Sequence, residues 1–235
     1  ALFAHWVPHV VGAQSAIVVA LDWTEFDADG HATIALSLVT SHGRATPLVW
    51  QTVPKAPLKG RRNQYEDAVL QRLHEVLPAG VHVTVLADRG FGDQKLYQFL
   101  TELGFDFIVR FRRAVTVTDA TGDVRPAAEW VPANGQVRQL RHATVTQDFY
   151  PLDAVVCVKA RRMKEPWCLA VRGPARPGAA VVKLYGRRFT IEETFRDTKD
   201  LRYGLGLSAT HIRDVHRRDR LLLICAMATT RLTVL

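Results

Sequence analysis

The sequence predicts an α/β fold: a mixed five-stranded sheet flanked by helices, with an antiparallel β subdomain inserted late in the chain. Three observations lead there. Between Ser15 and Val53, three strand-like runs follow one another across tight turns. From Asn63 to Arg110, helical and strand-like runs alternate. Short alternating segments then fill 111–182, and a helical part follows from Lys183. This order makes 1–110 the first part of a core, 111–182 an insertion and 183–235 the C-terminal part of the same core.

Residues Ala1 to Gln14 read as a short helix and a loop. Ser15 to Leu21 is a nearly continuous apolar run rich in β-branched residues, as in a strand buried on both faces. Asp22 follows at once, so a carboxylate stands at the predicted end of a core strand. Such a group must be paired, hydrogen-bonded or bound to a cation, or else simply start the turn. Asp29-Gly30 is a hairpin signal, His31 to Thr40 alternates, and Ala45 to Val53 forms a third strand, which implies an antiparallel meander. Val69, Leu70, Leu73, Val76 and Leu77 recur at helical spacing, and Pro78 and Gly80 end that helix. Val81 to Ala87 is the fourth strand. It runs straight into Asp88-Arg89-Gly90-Phe91, where the glycine permits a sharp turn. Gln94 to Leu103 is an amphipathic helix and Phe105 to Arg110 the fifth strand. In the insertion, strands are predicted at Val115–Thr118, Val137–Leu140, Ala143–Thr146, Ala154–Lys159 and Trp167–Val171.

Leu184 to Leu201 reads as one helix, with no internal proline and a single glycine near its start. At about 100° per residue, with Tyr185 at zero, Arg188, Glu192 and Lys199 fall at roughly 300°, 340° and 320°. A phenol, a guanidinium, a carboxylate and an ammonium thus share one stripe. Leu184, Ile191 and Phe195 form a narrow apolar stripe beside it. Beyond it, Leu201 to Leu207 carries two glycines and turns the chain. A basic helix and then an apolar helix follow.

Composition bounds the function. Of the 235 residues, 48% are hydrophobic and 23% charged, which excludes a disordered or fibrous chain. No apolar run reaches the length of a membrane span, so no membrane association is expected. Ala1 is preceded by no leader, and the last residues lack a helix stop. Both ends read as cut, and the chain as part of a longer protein. Net charge is +8, and from Lys183 onward 11 Lys/Arg face 6 Asp/Glu. That balance favours a polyanion, nucleic acid first. The three cysteines have no CxxC spacing and suit a reducing, cytoplasmic compartment. The histidines show no zinc-ligand spacing.

The coarse element order matches a ribonuclease-H-like core, in which the first and fourth strands are neighbours. Asp22 and Asp88 would then end side by side, and the later helix could bring Glu192 to them. Three crowded carboxylates invite hard divalent cations such as Mg²⁺ or Mn²⁺. On these residues the sequence resembles DDE transposases of the bacterial insertion-sequence-four family. Leu21-Asp22-Trp23-Thr24 resembles the first-Asp motif, and Ala87-Asp88-Arg89-Gly90-Phe91 the second. Tyr185-x2-Arg188-x3-Glu192-x6-Lys199 has the spacing of the Tyr-Arg-Glu-Lys signature.

The resemblance implies that Asp22, Asp88 and Glu192, rather than Glu193, are catalytic and hold two Mg²⁺ or Mn²⁺ ions. It implies that Tyr185, Arg188 and Lys199 grip phosphates of double-stranded DNA at the transposon end. Trp167 then either stacks on a flipped base or packs in the insertion. Arg89 and the run from Arg213 to Arg220 are DNA-contact candidates or solvated charges. The implied activity is cut-and-paste transposition by two-metal phosphoryl transfer: strand cleavage, hairpin formation and strand transfer into target DNA. The implied setting is a homodimeric synaptic complex at the bacterial nucleoid. A DNA-binding remnant without activity, and a ribonuclease-H-like nuclease that cuts without joining, are the alternatives.

Overall fold

The computed structural model describes residues 2–233, a mixed α/β fold that divides into two compact units. The first unit comprises residues 1–82 and 188–235, and the second residues 83–187.

The first unit opens with helix α1 (Phe3–Val11) and then strands β1 (Ala16–Phe26), β2 (His31–Val39) and β3 (Ala45–Pro54). The three strands form the expected antiparallel meander in the order β3-β2-β1. A short 3-10 turn over Asp27–Asp29 joins β1 to β2, and Gly30 leaves it with φ at +64°. That left-handed value is why glycine follows the aspartate there. β2 is buried at every position, polar residues included. Its alternation therefore does not mark a wet face. Helix α2 (Arg62–Val76) packs on β2 and β3, and helix α1 also lies on β3.

One expectation about β1 is corrected. The strand does not end at Leu21 but continues five residues further, so Asp22 lies inside it, opposite Ala35 of β2. The apolar run stops at Leu21, but the strand does not. Thr24 and Phe26 stay buried while Asp22, Trp23 and Glu25 are half-buried, so the second half is amphipathic.

The second unit holds β4 (His82–Ala87), which its residues join from Val83 on, helix α3 (Gln94–Glu102) and β5 (Asp106–Arg110). It continues with β6 (Thr116–Thr118), β7 (Val124–Pro126), β8 (Arg138–Arg141), β9 (Thr144–Val145), β10 (Tyr150–Pro151), β11 (Ala154–Val158) and β12 (Trp167–Arg172). β4 and β5 are parallel, and β12, β11 and β8 extend them antiparallel in the order β4-β5-β12-β11-β8. Strands β10-β9-β6-β7 form a separate antiparallel sheet. All five strands predicted between Val115 and Val171 exist, but they do not make one small sheet. β11 and β12 are buried almost throughout because they are interior strands of the larger sheet.

The stretch from Leu184 to Leu201 is also corrected. It is not one helix. Helix α4 (Gly178–Gly186) ends at the glycine, a 3-10 turn covers Arg187–Phe189, and helix α5 (Thr190–Lys199) follows. A 3-10 turn advances about 120° per residue, so a single helical wheel does not carry from Tyr185 to Glu192. Gly186 was the available signal, since glycine is favoured where helices end.

Helix α6 (Val215–Thr233) packs on β3 in the first unit. Its Arg218 is fully buried, ion-paired with Asp29 and stacked 4.1 Å from the Phe26 ring centroid. Arg218 Nη1 also donates to the Leu207 carbonyl at 2.9 Å. This arginine is thus removed from the DNA-contact candidates of the basic run, whereas Arg213, Arg217 and Arg220 are exposed. A buried guanidinium loses its hydration and must be compensated by such partners. Arg218→Ala should leave Asp29 as an uncompensated buried charge and destabilise the chain by about 3–5 kcal/mol. Arg217→Ala should change stability by less than about 0.5 kcal/mol. Urea denaturation of the two variants checks both values.

Candidate active site

The sequence-predicted residues fall in both units. Asp22, Arg188, Glu192 and Lys199 belong to the first, and Asp88, Arg89, Trp167 and Tyr185 to the second.

In the first unit, β1 supplies Asp22 and the turn before α5 supplies Arg188. The Arg188 side chain is 5% exposed, and its two terminal nitrogens go to two acids. Nη1 donates to Asp22 Oδ2 at 3.1 Å and Nη2 to Glu192 Oε1 at 2.5 Å. Asp22 Oδ1 accepts from the Trp23 backbone N–H at 2.8 Å, which fixes the carboxylate next to the strand. The fork of one guanidinium thus gathers two carboxylates whose parent residues are 166 apart at Asp22 and Arg188, and four apart at Arg188 and Glu192. Asp22 and Glu192 also line a groove of about 790 Å³ together with Trp23, Phe195 and Lys199. Glu193 pairs instead with Arg196, which lines the same groove.

Helix α5 is held against β3 by one contact of the predicted apolar stripe and by polar contacts with no sequence signal. Ile191 of the stripe is fully buried, and Arg44 Nε donates to Asp197 Oδ2 at 2.5 Å. Thr194 sits between them. Its Oγ1 accepts from the Ala45 N–H at 2.8 Å and lies 3.0 Å from both the Ala45 and Thr190 carbonyls. The free edge of β3 is thereby tied to the helix that carries Glu192. At the far end, the Leu205 N–H caps the Asp197 carbonyl at 2.8 Å, and the chain passes so close that a Cβ on Gly204 would lie 1.9 Å from that oxygen. A threonine within a helix gives no sequence signal of such docking.

In the second unit, Asp88 follows β4 directly, as expected for a strand-end carboxylate. Its Oδ1 accepts from the Gly90 N–H at 2.7 Å. Gly90 does not have a positive φ, so its freedom to turn is not what the site uses. A Cβ at Gly90 would stand 3.0 Å from Asp88 Oδ1, and glycine gives that carboxylate its room. Arg89 Nη1 and Arg110 Nη2 both donate to Glu165 Oε2 at 2.8 Å. The hydrogen bond from Arg110, with the nearby charge of Arg89, holds the Glu165 carboxyl below the usual glutamate range. Trp167 is half-buried and meets Tyr185 edge-on, with ring centroids 4.9 Å apart. Tyr185 itself is 1% exposed.

The donor chemistry suits a hard divalent cation. Two carboxylates already converge on a single positive group, and ionised carboxylate oxygen is what Mg²⁺ and Mn²⁺ take. Among the described residues, no three His, Cys, Asp or Glu side chains form a cluster that could hold an ion. Also among the described residues, no helix is long and apolar enough to cross a membrane.

The transposase DDE domain model matches residues 14–231, and the chain belongs to that family. No curated protein matches the sequence. Among solved structures, the Argonaute of Aquifex aeolicus is similar at 9% identity and a TM-score of 0.34, over 87% of this chain and 29% of that one. The Argonaute of Marinitoga piezophila, in complex with 5′ OH guide RNA and target DNA, gives 8% identity and a TM-score of 0.29, over 73% of this chain and 25% of that one. The chain thus spans less than a third of the length of either.

Thr194→Val should leave the buried Ala45 N–H without its side-chain acceptor and destabilise the first unit by about 1–3 kcal/mol. Chemical denaturation followed by circular dichroism checks the loss, and an unchanged midpoint would show that α5 is held by other contacts.

Proposed function

We propose that this chain is the catalytic domain of a cut-and-paste DNA transposase of the insertion-sequence-four kind, with Asp22, Asp88 and Glu192 as its catalytic acids. The observation that carries the reading is the convergence of Asp22 and Glu192 on one cationic group, in a chain of the DDE transposase family. Asp88, the carboxylate that follows β4, is the third acid of the proposal. The three acids would hold two Mg²⁺ or Mn²⁺ ions. When bound, such ions neutralise developing charge and make water or a sugar hydroxyl a better nucleophile in an in-line displacement at phosphorus.

The chain's own residues divide the remaining work. Asp22 is oriented by the Trp23 N–H and Asp88 by the Gly90 N–H, so each presents a fixed carboxylate. Docking of α5 on β3 sets the position of Glu192. Lys199, on the groove that Asp22 and Glu192 line, offers a mobile positive charge to a DNA phosphate. Arg89 is a second phosphate contact, competing with its bond to Glu165. Trp167 offers a stacking surface to an unpaired base, worth roughly 1–3 kcal/mol. Tyr185, expected to grip a phosphate, is 1% exposed, and its role in this reading is instead to support the Trp167 ring. With these parts, one displacement chemistry would serve nicking at the transposon end, attack of the freed 3′-hydroxyl on the opposite strand to give a hairpin, and joining to target DNA. Pairing of two transposon ends makes a homodimeric complex the working form.

The experiment is Mg²⁺-dependent cleavage and joining of transposon-end DNA by the protein carrying this chain. Asp22→Ala, Asp88→Ala and Glu192→Ala should each lower cleavage by more than about 100-fold, the upper cost of losing a mere supporting group around a metal. Unchanged cleavage in any of the three would remove that residue from the site. Cutting without joining would identify a nuclease, and DNA binding without strand chemistry an inactive remnant.

A further inference from the structure

Arg188 occupies the place where the catalytic reading needs a metal. Its guanidinium carbon lies 4.8 Å from the Phe189 ring centroid, and the side chain is withdrawn from water. A cation so placed is stabilised by its anionic partners, here Asp22 and Glu192. Both acids offer it an oxygen, and those are the oxygens a divalent ion would use. A divalent ion held by the same two acids would lie beside the guanidinium, where two like charges in a partly dry site repel.

We propose that Arg188 is a resident counter-cation that competes with the divalent ion for Asp22 and Glu192, so that metal loading requires the guanidinium to leave the pair. The inference rests on the reading of Asp22 and Glu192 as metal ligands. It gives Arg188 a positioning role: the two carboxylates are pre-assembled at one point before any ion arrives. The same contact that assembles the site weakens its affinity for the ion. Lys199 lines the same groove as the two acids, but nothing places its ammonium between them, so the competition is assigned to Arg188 alone.

The test is Mn²⁺ binding, followed by electron paramagnetic resonance, to the wild-type chain, Arg188→Gln, Asp22→Asn and the double variant. Arg188→Gln should bind Mn²⁺ at least about tenfold more tightly than wild type, and Asp22→Asn should abolish that gain. Wild type binding Mn²⁺ through Asp22 while Arg188→Gln binds it no more tightly would overturn the competition and leave the metal reading intact. Absence of Asp22-dependent Mn²⁺ binding in every form would overturn both. A second measurement needs no substitution that could unfold the chain. In wild type labelled with ¹⁵N-arginine, saturating Mg²⁺ should shift the Arg188 side-chain signal and speed its exchange with water. A signal that stays fixed while Mg²⁺ binds would contradict the displacement.

Discussion

One guanidinium between two carboxylates is the interaction on which the candidate site depends. Arg188 is nearly inaccessible to water, and Asp22 is 18% exposed, so the pair cannot lean on solvent screening. In that setting the charges must meet partners or the segment carrying them is destabilised. The Asp22–Arg188–Glu192 contact therefore does two things at once. It joins the turn before α5 to the interior of β1, and it brings together two acids that would otherwise repel. Their exposures differ: Glu192 is about half exposed and can move, whereas Asp22 is held by the strand and by the Trp23 N–H. The rigid partner sets the place, and the mobile partner can adjust to what binds there.

The rest of the first unit maintains this corner. β2 is buried throughout because helices cover the meander, and α5 is attached to β3 by Ile191, Thr194 and the Arg44–Asp197 pair. The Arg218–Asp29 pair anchors α6 to the turn that ends β1. Three arginines in this unit, at 44, 188 and 218, are thus structural in part. The fully buried guanidinium of Arg218 contributes nothing to a surface contact, although its pairing with the equally buried Asp29 leaves the net charge of +8 unaltered.

Much of this was legible in the chain. The meander, α2, β4, α3 and β5 could be read because β-branched runs and 3.6-residue spacing are local signals. Asp88 could be read because an apolar strand stops abruptly at it. The spacing from Arg188 to Glu192 could be read because it is one helical step of four residues, and the two side chains do meet. What could not be read depended on partners far away in sequence. β1 runs past Leu21 because β2 pairs with Asp22 through Phe26, although those residues are no longer a continuous apolar run. The late strands joined the larger sheet because β12 found β5 as a neighbour, a long-range choice without a local trace. Arg218 looked like one more surface cation in a basic run, and only Asp29 and Phe26 make its burial possible. The break between α4 and α5 had Gly186 as a sign, but a glycine near a helix start was too weak to divide the stretch.

The account's central claim is that the acids gathered by Arg188 are the ligands of the catalytic ions. Anomalous diffraction at the manganese edge, from crystals of the chain soaked in MnCl₂, tests it most directly. The account predicts a manganese peak bonded to Asp22 and Glu192, with the Arg188 guanidinium moved off the two carboxylates. An Arg188 still bridging Asp22 and Glu192, with manganese bound elsewhere or not at all, would contradict it.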